Sequence, residues 1–201
     1  MKKIIIAIDS FKGCLTSAEA GKAAEKGIKS INPSCHTSVI PIADGGEGLL
    51  DVLIRATKGK YITLSAHGPL MKMAKTHYGL SGNGRTAIIE MAAISGLPLV
   101  PIEQRNPMLT TTFGTGELIK DALNKGCRNF IIGIGGSATN DAGLGMLQAL
   151  GFRFLDKSGH TLGTGGQIME AVANIDTSGI HPALRETHFM VACDVANPFY
   201  G

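Results

Sequence analysis

Residues 133–145 have the sequence Gly-Ile-Gly-Gly-Ser-Ala-Thr-Asn-Asp-Ala-Gly-Leu-Gly, and this stretch provides the first prediction about the fold. A short apolar run, Phe130-Ile131-Ile132, comes directly before it. Larger apolar residues then recur at three-residue spacing, at Leu144, Leu147 and Leu150. The pattern predicts a strand, a glycine-rich turn and a helix.

Such a turn is suited to binding an anion. Glycines have no Cβ, so successive backbone N–H groups can converge on a negative charge, and the positive end of the following helix dipole points the same way. The predicted binding groups in this turn are Gly135, Gly136, Ser137, Asn140 and Asp141.

A purely structural alternative exists for the same turn, because Ser137 or Thr139 could be the N-cap of the helix. Gly143 and Gly145 would then lie inside the helix, where each costs about 1 kcal/mol relative to alanine. Close approach of a ligand or of another backbone explains these glycines better. The turn matches no P-loop, dinucleotide or nucleophile-elbow motif, so the residues alone predict an anion site without a particular activity.

The composition limits the possible classes of function. The chain has 201 residues, of which 44% are hydrophobic and 17% charged, enough for one substantial core or two small ones. Its net charge of +3 is scattered and only 5% of residues are aromatic, so we expect small-molecule partners and no nucleic acid. The four cysteines lack C-x-x-C spacing, which favours reduced thiols and a cytoplasmic location. No apolar run is long enough for a membrane span, and the composition leaves the oligomeric state open.

The first strand is predicted at Ile4–Ile8, a continuous apolar run typical of a central parallel strand covered on both faces. Asp9, Ser10 and Lys12 follow it directly. In open α/β sheets ligands bind in the loops after the carboxyl ends of strands, so these three residues are candidate site residues. The alternative is that Asp9 and Ser10 only form a turn and that Lys12 is solvated.

A capping box at Thr16–Glu19 predicts the first helix, and a second strand is predicted at His36–Ile42. The strand leads into Asp44-Gly45-Gly46-Glu47. The spacing of Asp44 and Glu47 would also suit an N-cap and its reciprocal partner. A cap needs no pair of glycines, however, whereas backbone that approaches a phosphate or a polyol does, so the motif is a candidate site for ligand or Mg²⁺.

The pattern changes after residue 57. Short strands at Tyr61–Leu64, Met73–Leu80 and Thr86–Met91 are separated by hairpin sequences rich in glycine. We therefore predict a mixed α/β fold with two lobes. Residues 1–57 form part of a Rossmann-like lobe with a parallel sheet and helices on both faces, and residues 58–201 form a second α/β lobe with short antiparallel strands.

Gly114 and Gly116 give a weak match to a dinucleotide-binding turn, which raises the alternative of an NAD-dependent oxidoreductase. The third glycine of that motif and a convincing preceding strand are both missing.

The last predicted strand, His188–Cys193, is followed by Asp194 and Asn197, which are further candidate site residues. The chain ends soon afterwards, so we expect it to be part of a longer protein. The loops at Asp9, Asp44 and Asp194 and the turn at 133–145 are expected to converge on one edge of a parallel sheet.

Five motifs in this order resemble those of the bacterial class I glycerate kinases, the glycerate 2-kinase family. They are Asp9-Ser10-Phe11-Lys12, Ala43-Asp44-Gly45-Gly46-Glu47-Gly48, Phe113-Gly114-Thr115-Gly116-Glu117-Leu118, Gly135-Gly136-Ser137-Ala138-Thr139-Asn140-Asp141 and Cys193-Asp194-Val195-Ala196-Asn197-Pro198. The resemblance covers the whole chain, although members of that family are nearly twice as long. Ala142 stands where a glycine is common in the family motif.

The resemblance implies transfer of the γ-phosphoryl group of ATP to D-glycerate with Mg²⁺, at the 2-hydroxyl, on a two-lobed α/β fold. For this reaction we assign catalytic roles to Lys12, Asp44 and Asp194, with the two aspartates as Mg²⁺ ligands or as the base. Lys12 would neutralise charge on the transferred group. The alternatives are a non-catalytic anion-binding fragment and the oxidoreductase considered above.

Overall fold

The computed structural model of the chain describes residues 3–11, 14–46 and 48–193. The strands are β1 (Lys3–Ile6), β2 (His36–Val39), β3 (Lys60–His67), β4 (Met73–Leu80), β5 (Thr86–Glu90), β6 (Asn129–Gly133), β7 (Arg153–Leu155), β8 (Asn174–Asp176) and β9 (His188–Ala192). The α-helices are α1 (Ser17–Ile31), α2 (Leu49–Thr57), α3 (Ala92–Ser95), α4 (Phe113–Asn124) and α5 (Leu144–Ala149).

The strands of the described residues form three sheets. A five-stranded sheet has the order β3-β4-β5-β6-β9, in which β5, β6 and β9 are parallel and β4 is antiparallel to both of its neighbours. Strands β1 and β2 form a separate parallel pair, and β7 and β8 form an antiparallel pair. The predicted α/β class, with a parallel sheet and short antiparallel strands, is confirmed.

The five-stranded sheet carries helices on both faces, because its central strand β5 is apolar on both sides. Leu50 and Ile54 of α2 pack against Ile88 on one face. On the other face, α4 contributes to the main core cluster, which contains Ile89 and Tyr78. The hydroxyl of Tyr78 donates a hydrogen bond to Asp121 of α4 at 2.8 Å, which satisfies the one polar atom of this buried ring.

The prediction for the first strand is partly wrong. Strand β1 is parallel to β2, as expected, but Ile5 is 61% exposed and Ile4 is 36% exposed, so the strand is not covered on both faces. Within the described residues β1 pairs with β2 alone, and α1 is the helix that packs against it. One helix can cover only one face of a two-stranded sheet.

Helix α1 begins where the sequence predicts. The hydroxyl of Thr16 accepts a hydrogen bond from the backbone N–H of Glu19, and the carboxylate of Glu19 accepts one from the backbone N–H of Thr16. This reciprocal pair satisfies two N–H groups that would otherwise lack partners at the helix start. The helix ends at Ile31, and Asn32 is its C-cap.

Two elements are shorter than the sequence suggests. Strand β2 ends at Val39 rather than Ile42, since Pro41 has no N–H to continue the ladder. Helix α5 has six residues, and Leu150 is its C-cap. The segment that was expected to form its first turn is a loop instead.

Helix α2 lies just before the proposed lobe boundary at residue 57 and packs on the five-stranded sheet that follows it. The division of the chain into residues 1–57 and 58–201 stays a prediction. Among the described residues, no helix combines the length and the apolar character needed to cross a membrane.

Candidate functional site

Two glycine-rich loops meet through their backbones at the carboxyl ends of strands. A Cβ added to Gly135 would lie 2.7 Å from the Cα of Gly46, and one added to Gly133 would lie 2.5 Å from the carbonyl oxygen of Gly45. Any larger residue at these positions would force the loops apart. The glycines therefore allow the loop after β2 to lie directly against the loop after β6.

A third strand end joins the same place. A Cβ on Gly45 would lie 2.8 Å from the carbonyl oxygen of Ala192, the last residue of β9. Gly45 also has a φ of 94°, which favours glycine. The loop at Asp194 lies outside the described residues, so the expected meeting of strand-end loops is found for the loops after β2 and β6, with the end of β9 beside them. They come from two different sheets, however, and not from one edge of a single parallel sheet as predicted, because β1 and β2 pair apart from β6 and β9.

The loop after β1 is tied to the loop after β2 by one side chain. The hydroxyl of Ser17 donates a hydrogen bond to the carbonyl oxygen of Ile8 at 2.6 Å and accepts one from the backbone N–H of Ile42 at 3.0 Å. In the neighbouring loops, Asp9 accepts a hydrogen bond from the backbone N–H of Ser10, and Asp44 accepts one from the N–H of Gly46 at 2.9 Å. Asp44 is not the N-cap of α2, since that position is Gly48.

Asp141 holds the glycine-rich turn in shape. It is 1% exposed, and its oxygens accept hydrogen bonds from the hydroxyl of Thr111, from the hydroxyl and N–H of Thr112, and from the N–H groups of Gly143 and Gly145. The donors lie at the starts of both α4 and α5. The prediction that Asp141 contacts substrate or phosphate is not supported by this arrangement, because protein groups enclose the carboxylate.

The structural alternative for the turn is also wrong. Neither Ser137 nor Thr139 caps α5, whose N-cap is Gly143 with a φ of 75°. The close approach of another backbone that was predicted for Gly143 and Gly145 is found at Gly145, where a Cβ would lie 2.8 Å from the backbone nitrogen of Phe113. At Gly143 the nearest neighbour of a Cβ would be Cε of Met146 at 3.6 Å, an ordinary contact. Ala142 has a φ of 50°, a conformation that favours glycine.

One cavity lies beside the loops that follow the first two strands. It has a volume of about 470 Å³, within the range of small-molecule sites, and it lies beside the loop after β1 and the start of α2, with a lining that includes Ser10, Gly48, Arg55 and Glu90. Burial raises the pKa of the Glu90 carboxyl above its ordinary value, and hydrogen bonds from the backbone of Leu50 and Gly48 act in the opposite direction.

The sequence analysis missed Glu90 as a site residue. The signal was present, because Glu90 is the last residue of β5 and so lies at a strand end like the other candidates.

Another cavity lies beside the glycine-rich turn. It has a volume of about 260 Å³ and is lined by residues 137–140 together with part of the 97–107 segment, which includes Arg105. The sequence analysis missed Arg105, which lies in a segment of short 3-10 turns without any periodic pattern or motif. This cavity places a positive charge beside Ser137, Thr139 and Asn140.

Four predicted site residues lie outside the described residues: Lys12, Glu47, Asp194 and Asn197. Their predicted roles stay predictions. Among the residues that are described, there is no group of three or more His, Cys, Asp or Glu side chains placed to hold a metal ion. Asp44, half-buried at the loop contact, is the described residue among the predicted metal ligands.

Gly114 and Gly116 do not form a dinucleotide-binding turn. Both lie inside α4, where a Cβ on Gly114 would overlap the carbonyl oxygen of His67 and one on Gly116 would overlap that of Met146. Glu117 on the same helix accepts hydrogen bonds from the backbone N–H of His67 at 2.7 Å and pairs with its ring at 2.9 Å. The motif thus serves to pack α4 closely against β3 and α5.

Comparison with known proteins agrees with the sequence motifs. A family model described as "Glycerate kinase family" matches residues 4–201. The chain is 53% identical over 199 residues to the glycerate kinase of Bacillus subtilis (strain 168), covering 99% of this chain and 52% of that protein. It is 49% identical over 199 residues to the glycerate 2-kinase of Escherichia coli (strain K12), covering 99% of this chain and 52% of that protein.

A solved structure gives the same result. The crystal structure assigned as glycerate kinase 2 from Salmonella typhimurium LT2 superposes with a TM-score of 0.86 at 49% identity, covering 98% of this chain and 53% of that one. The chain therefore spans about half the length of the curated relatives and of the solved structure it matches.

Proposed function

The chain belongs to the glycerate kinase family, and we propose that the protein that carries it transfers the γ-phosphoryl group of ATP to the 2-hydroxyl of D-glycerate. The products are 2-phosphoglycerate and ADP. The name glycerate 2-kinase of the Escherichia coli relative supports the choice of hydroxyl. A cytoplasmic location and a two-lobed division at residue 57 remain parts of the proposal.

One structural observation carries the proposal: the backbone contact between Gly135 and Gly46. Phosphoryl transfer requires two anionic reactants to be held in line, together with groups that neutralise the charge on the transferred phosphoryl group. Two loops without side chains at their contact can present backbone N–H groups to such anions. The neighbouring Asp44 adds a carboxylate to the same place.

The roles divide among the loops as follows. Gly135, Gly136, Ser137 and Asn140 bind a phosphate or the carboxylate of glycerate, and Gly45 and Gly46 complete the wall on the other side. We assign Asp9, Ser10, Glu47 and Asn197 as further ligands of the substrate. Asp141, which is enclosed by protein donors, holds the turn rather than touching the reactants.

The chemical step depends on charge. Lys12 neutralises the transferred group, and Asp44 or Asp194 accepts the proton of the attacking hydroxyl or holds Mg²⁺. Mg²⁺ commonly takes one or two protein carboxylates, with phosphate oxygens and water completing its shell, so the pair Asp44 and Asp194 fits that ion. When bound, Mg²⁺ would reduce the negative charge on the phosphate oxygens.

The proposal is tested with the purified protein that carries this chain, supplied with ATP, Mg²⁺ and D-glycerate. ADP should form only when D-glycerate is present, and phosphorus NMR should show the phosphate on the 2-hydroxyl. ADP formation that does not depend on D-glycerate would overturn the proposal. A parallel assay of the 201-residue chain by itself tests whether the described loops suffice.

Individual roles are tested with Lys12→Ala, Asp44→Asn and Asp194→Asn. We expect each to reduce kcat/KM by more than about tenfold, or roughly 1.4 kcal/mol. A smaller loss would remove that residue from the chemical step.

A further inference from the structure

The cavity beside the glycine-rich turn, here called the Arg105 pocket, lies between residues 97–107 and residues 137–140. It is separate from the larger cavity that Ser10 and Glu90 line. Its volume of about 260 Å³ is small for a nucleotide site but leaves room for a small organic acid.

The wall of the pocket is held by three hydrogen bonds. The backbone N–H of Ala138 donates to the carbonyl oxygen of Ser95 at 2.9 Å, and the N–H of Leu97 donates to the carbonyl oxygen of Gly136 at 3.0 Å. The hydroxyl of Thr110 donates to the carbonyl oxygen of Ala138 at 2.8 Å. The turn is thus bonded to Leu97 and to Ser95 and Thr110, which flank the 97–107 segment, so this wall of the pocket is held by contacts within the protein.

The charge in the pocket has one sign. Arg105 is the charged side chain in its lining, which contains no Asp or Glu. None of the ion pairs found among the described residues involves Arg105. A guanidinium that lines a pocket without a nearby carboxylate is a suitable partner for an anionic ligand.

The guanidinium is also partly oriented. Nε of Arg105 donates a hydrogen bond to the carbonyl oxygen of Val100 at 3.3 Å, which leaves the two terminal nitrogens for a ligand. The side chain of Asn140 lies on the opposite wall, exposed, and makes no hydrogen bond to another described residue. A planar anion can accept two parallel bonds from an arginine in this arrangement.

We propose that the Arg105 pocket binds the carboxylate of the organic acid that is phosphorylated. This inference rests on the proposed function and assigns one end of the substrate to a particular side chain. A carboxylate fits better than the phosphates of a nucleotide. The pocket offers a single cation and no carboxylate for a metal ion, whereas a triphosphate usually requires both a metal ion and several donors.

The test compares Arg105→Gln with wild type in the protein that carries this chain. We expect the KM for D-glycerate to rise by about tenfold or more, because a hydrogen bond to a charged group is lost, while the KM for ATP changes by less than about twofold. Arg105→Lys should bring the KM for D-glycerate partly back toward the wild-type value, since lysine keeps the positive charge but lacks the paired N–H donors of the guanidinium. Arg185→Gln, at an exposed arginine away from the pocket, is the matched control.

A substrate without a carboxylate separates binding of that group from general damage. With glycerol as acceptor, Arg105→Gln and wild type should react at similar, slow rates. A rise in the KM for ATP rather than for D-glycerate would assign the pocket to nucleotide phosphate and overturn the proposal. Unchanged KM values for both would overturn it as well.

Direct binding distinguishes failure of this inference from failure of the proposed function. The affinity for D-glycerate is measured by titration calorimetry without ATP, and Asn140→Ala serves as a second pocket variant. Lost binding in Arg105→Gln and weakened binding in Asn140→Ala support the pocket even if the protein does not phosphorylate D-glycerate. Equal affinity in all three proteins would refute the pocket whatever the activity.

Discussion

The carboxylate of Glu90 accepts a hydrogen bond from the backbone N–H of Leu50, with Oε1 and N 2.8 Å apart. Leu50 is the second residue of α2, whose N-cap, Gly48, has no side chain to cap the helix. Glu90, at the end of β5, thus supplies the hydrogen-bond acceptor that the side chain of an N-cap residue normally supplies. This bond joins the sheet to the helix that follows the first glycine loop, beside the larger cavity.

Replacing Glu90 should therefore weaken the protein according to whether an acceptor remains. Glu90→Ala leaves the N–H of Leu50 without its partner, so we expect a loss of about 1–2 kcal/mol in the free energy of unfolding. Glu90→Gln keeps a carbonyl oxygen and should lose less than half as much. Denaturant unfolding of both variants at neutral pH measures the difference. Equal losses would mean that the negative charge, and not the acceptor, matters.

The same carboxyl should give a pH dependence of stability with a defined sign. Its pKa in the folded protein lies above the ordinary value of 4.5, chiefly because of burial. At a pH between 4.5 and the raised pKa of the folded protein, the folded state holds a proton that the unfolded state has released. The free energy of unfolding therefore falls as the pH rises through that interval. Glu90→Gln cannot titrate and should lack this fall. The difference in stability between wild type and Glu90→Gln should therefore shrink as the pH rises above 4.5 and through the raised pKa of the folded protein.

The hydrogen bonds that Asp141 accepts from Thr111, Thr112, Gly143 and Gly145 should be important for stability and not for catalysis alone. In Asp141→Asn an amide N–H₂ replaces one acceptor oxygen. At Oδ1 it faces the hydroxyl of Thr112 and the N–H of Gly143, and at Oδ2 it faces donors of Thr111, Thr112 and Gly145. Each buried donor left without an acceptor costs about 1–3 kcal/mol, so we expect a clear drop in Tm. Glu170→Gln, at an exposed carboxylate, is the control and should stay within about 0.5 kcal/mol of wild type. A variant with normal Tm but no activity would restore Asp141 as a substrate ligand.

The parts of the fold that sequence predicted well have local causes. The start of α1 is set by a reciprocal contact between Thr16 and Glu19, three residues apart, and the hairpins around β4 are set by their glycine turns. Such contacts can be recognised in a short window of sequence. The buried strand β5 was visible for the same reason, as an apolar run bounded by a turn.

The parts that sequence missed depend on distant contacts. Glu90 caps a helix forty residues earlier in the chain, and Asp141 bonds to the threonines before α4, some thirty residues away. Residue type suggested a ligand for Asp141, whereas its carboxylate is enclosed by donors that are distant in sequence. Arg105 had no pattern at all, since its role depends on which loop packs opposite it.

The contact between the glycine loops should tolerate no side chain. Gly135→Ala would place a Cβ 2.7 Å from the Cα of Gly46, so backbone must move. We expect a loss of about 1–3 kcal/mol in stability together with reduced kcat/KM. Gly163→Ala is the matched control, because a Cβ there has no neighbour within 4 Å. Similar behaviour of the two variants would show that the contact between the loops is unimportant.

Helix α1 offers a paired test of the packing next to these loops, because it contains one buried and one exposed glycine. A Cβ at Gly21 would overlap Cγ1 of Val39 on β2, whereas one at Gly27 would have no neighbour within 4 Å. Gly27→Ala should therefore stabilise the protein by about 0.5–1 kcal/mol through helix propensity alone. Gly21→Ala gains the same propensity but must displace a β-branched side chain, at a cost of about 1–3 kcal/mol, so it should be the less stable of the two. The Tm of each variant, measured by thermal unfolding, tests this prediction. Equal stability of Gly21→Ala and Gly27→Ala would mean that α1 packs less closely against β2 than the structure shows.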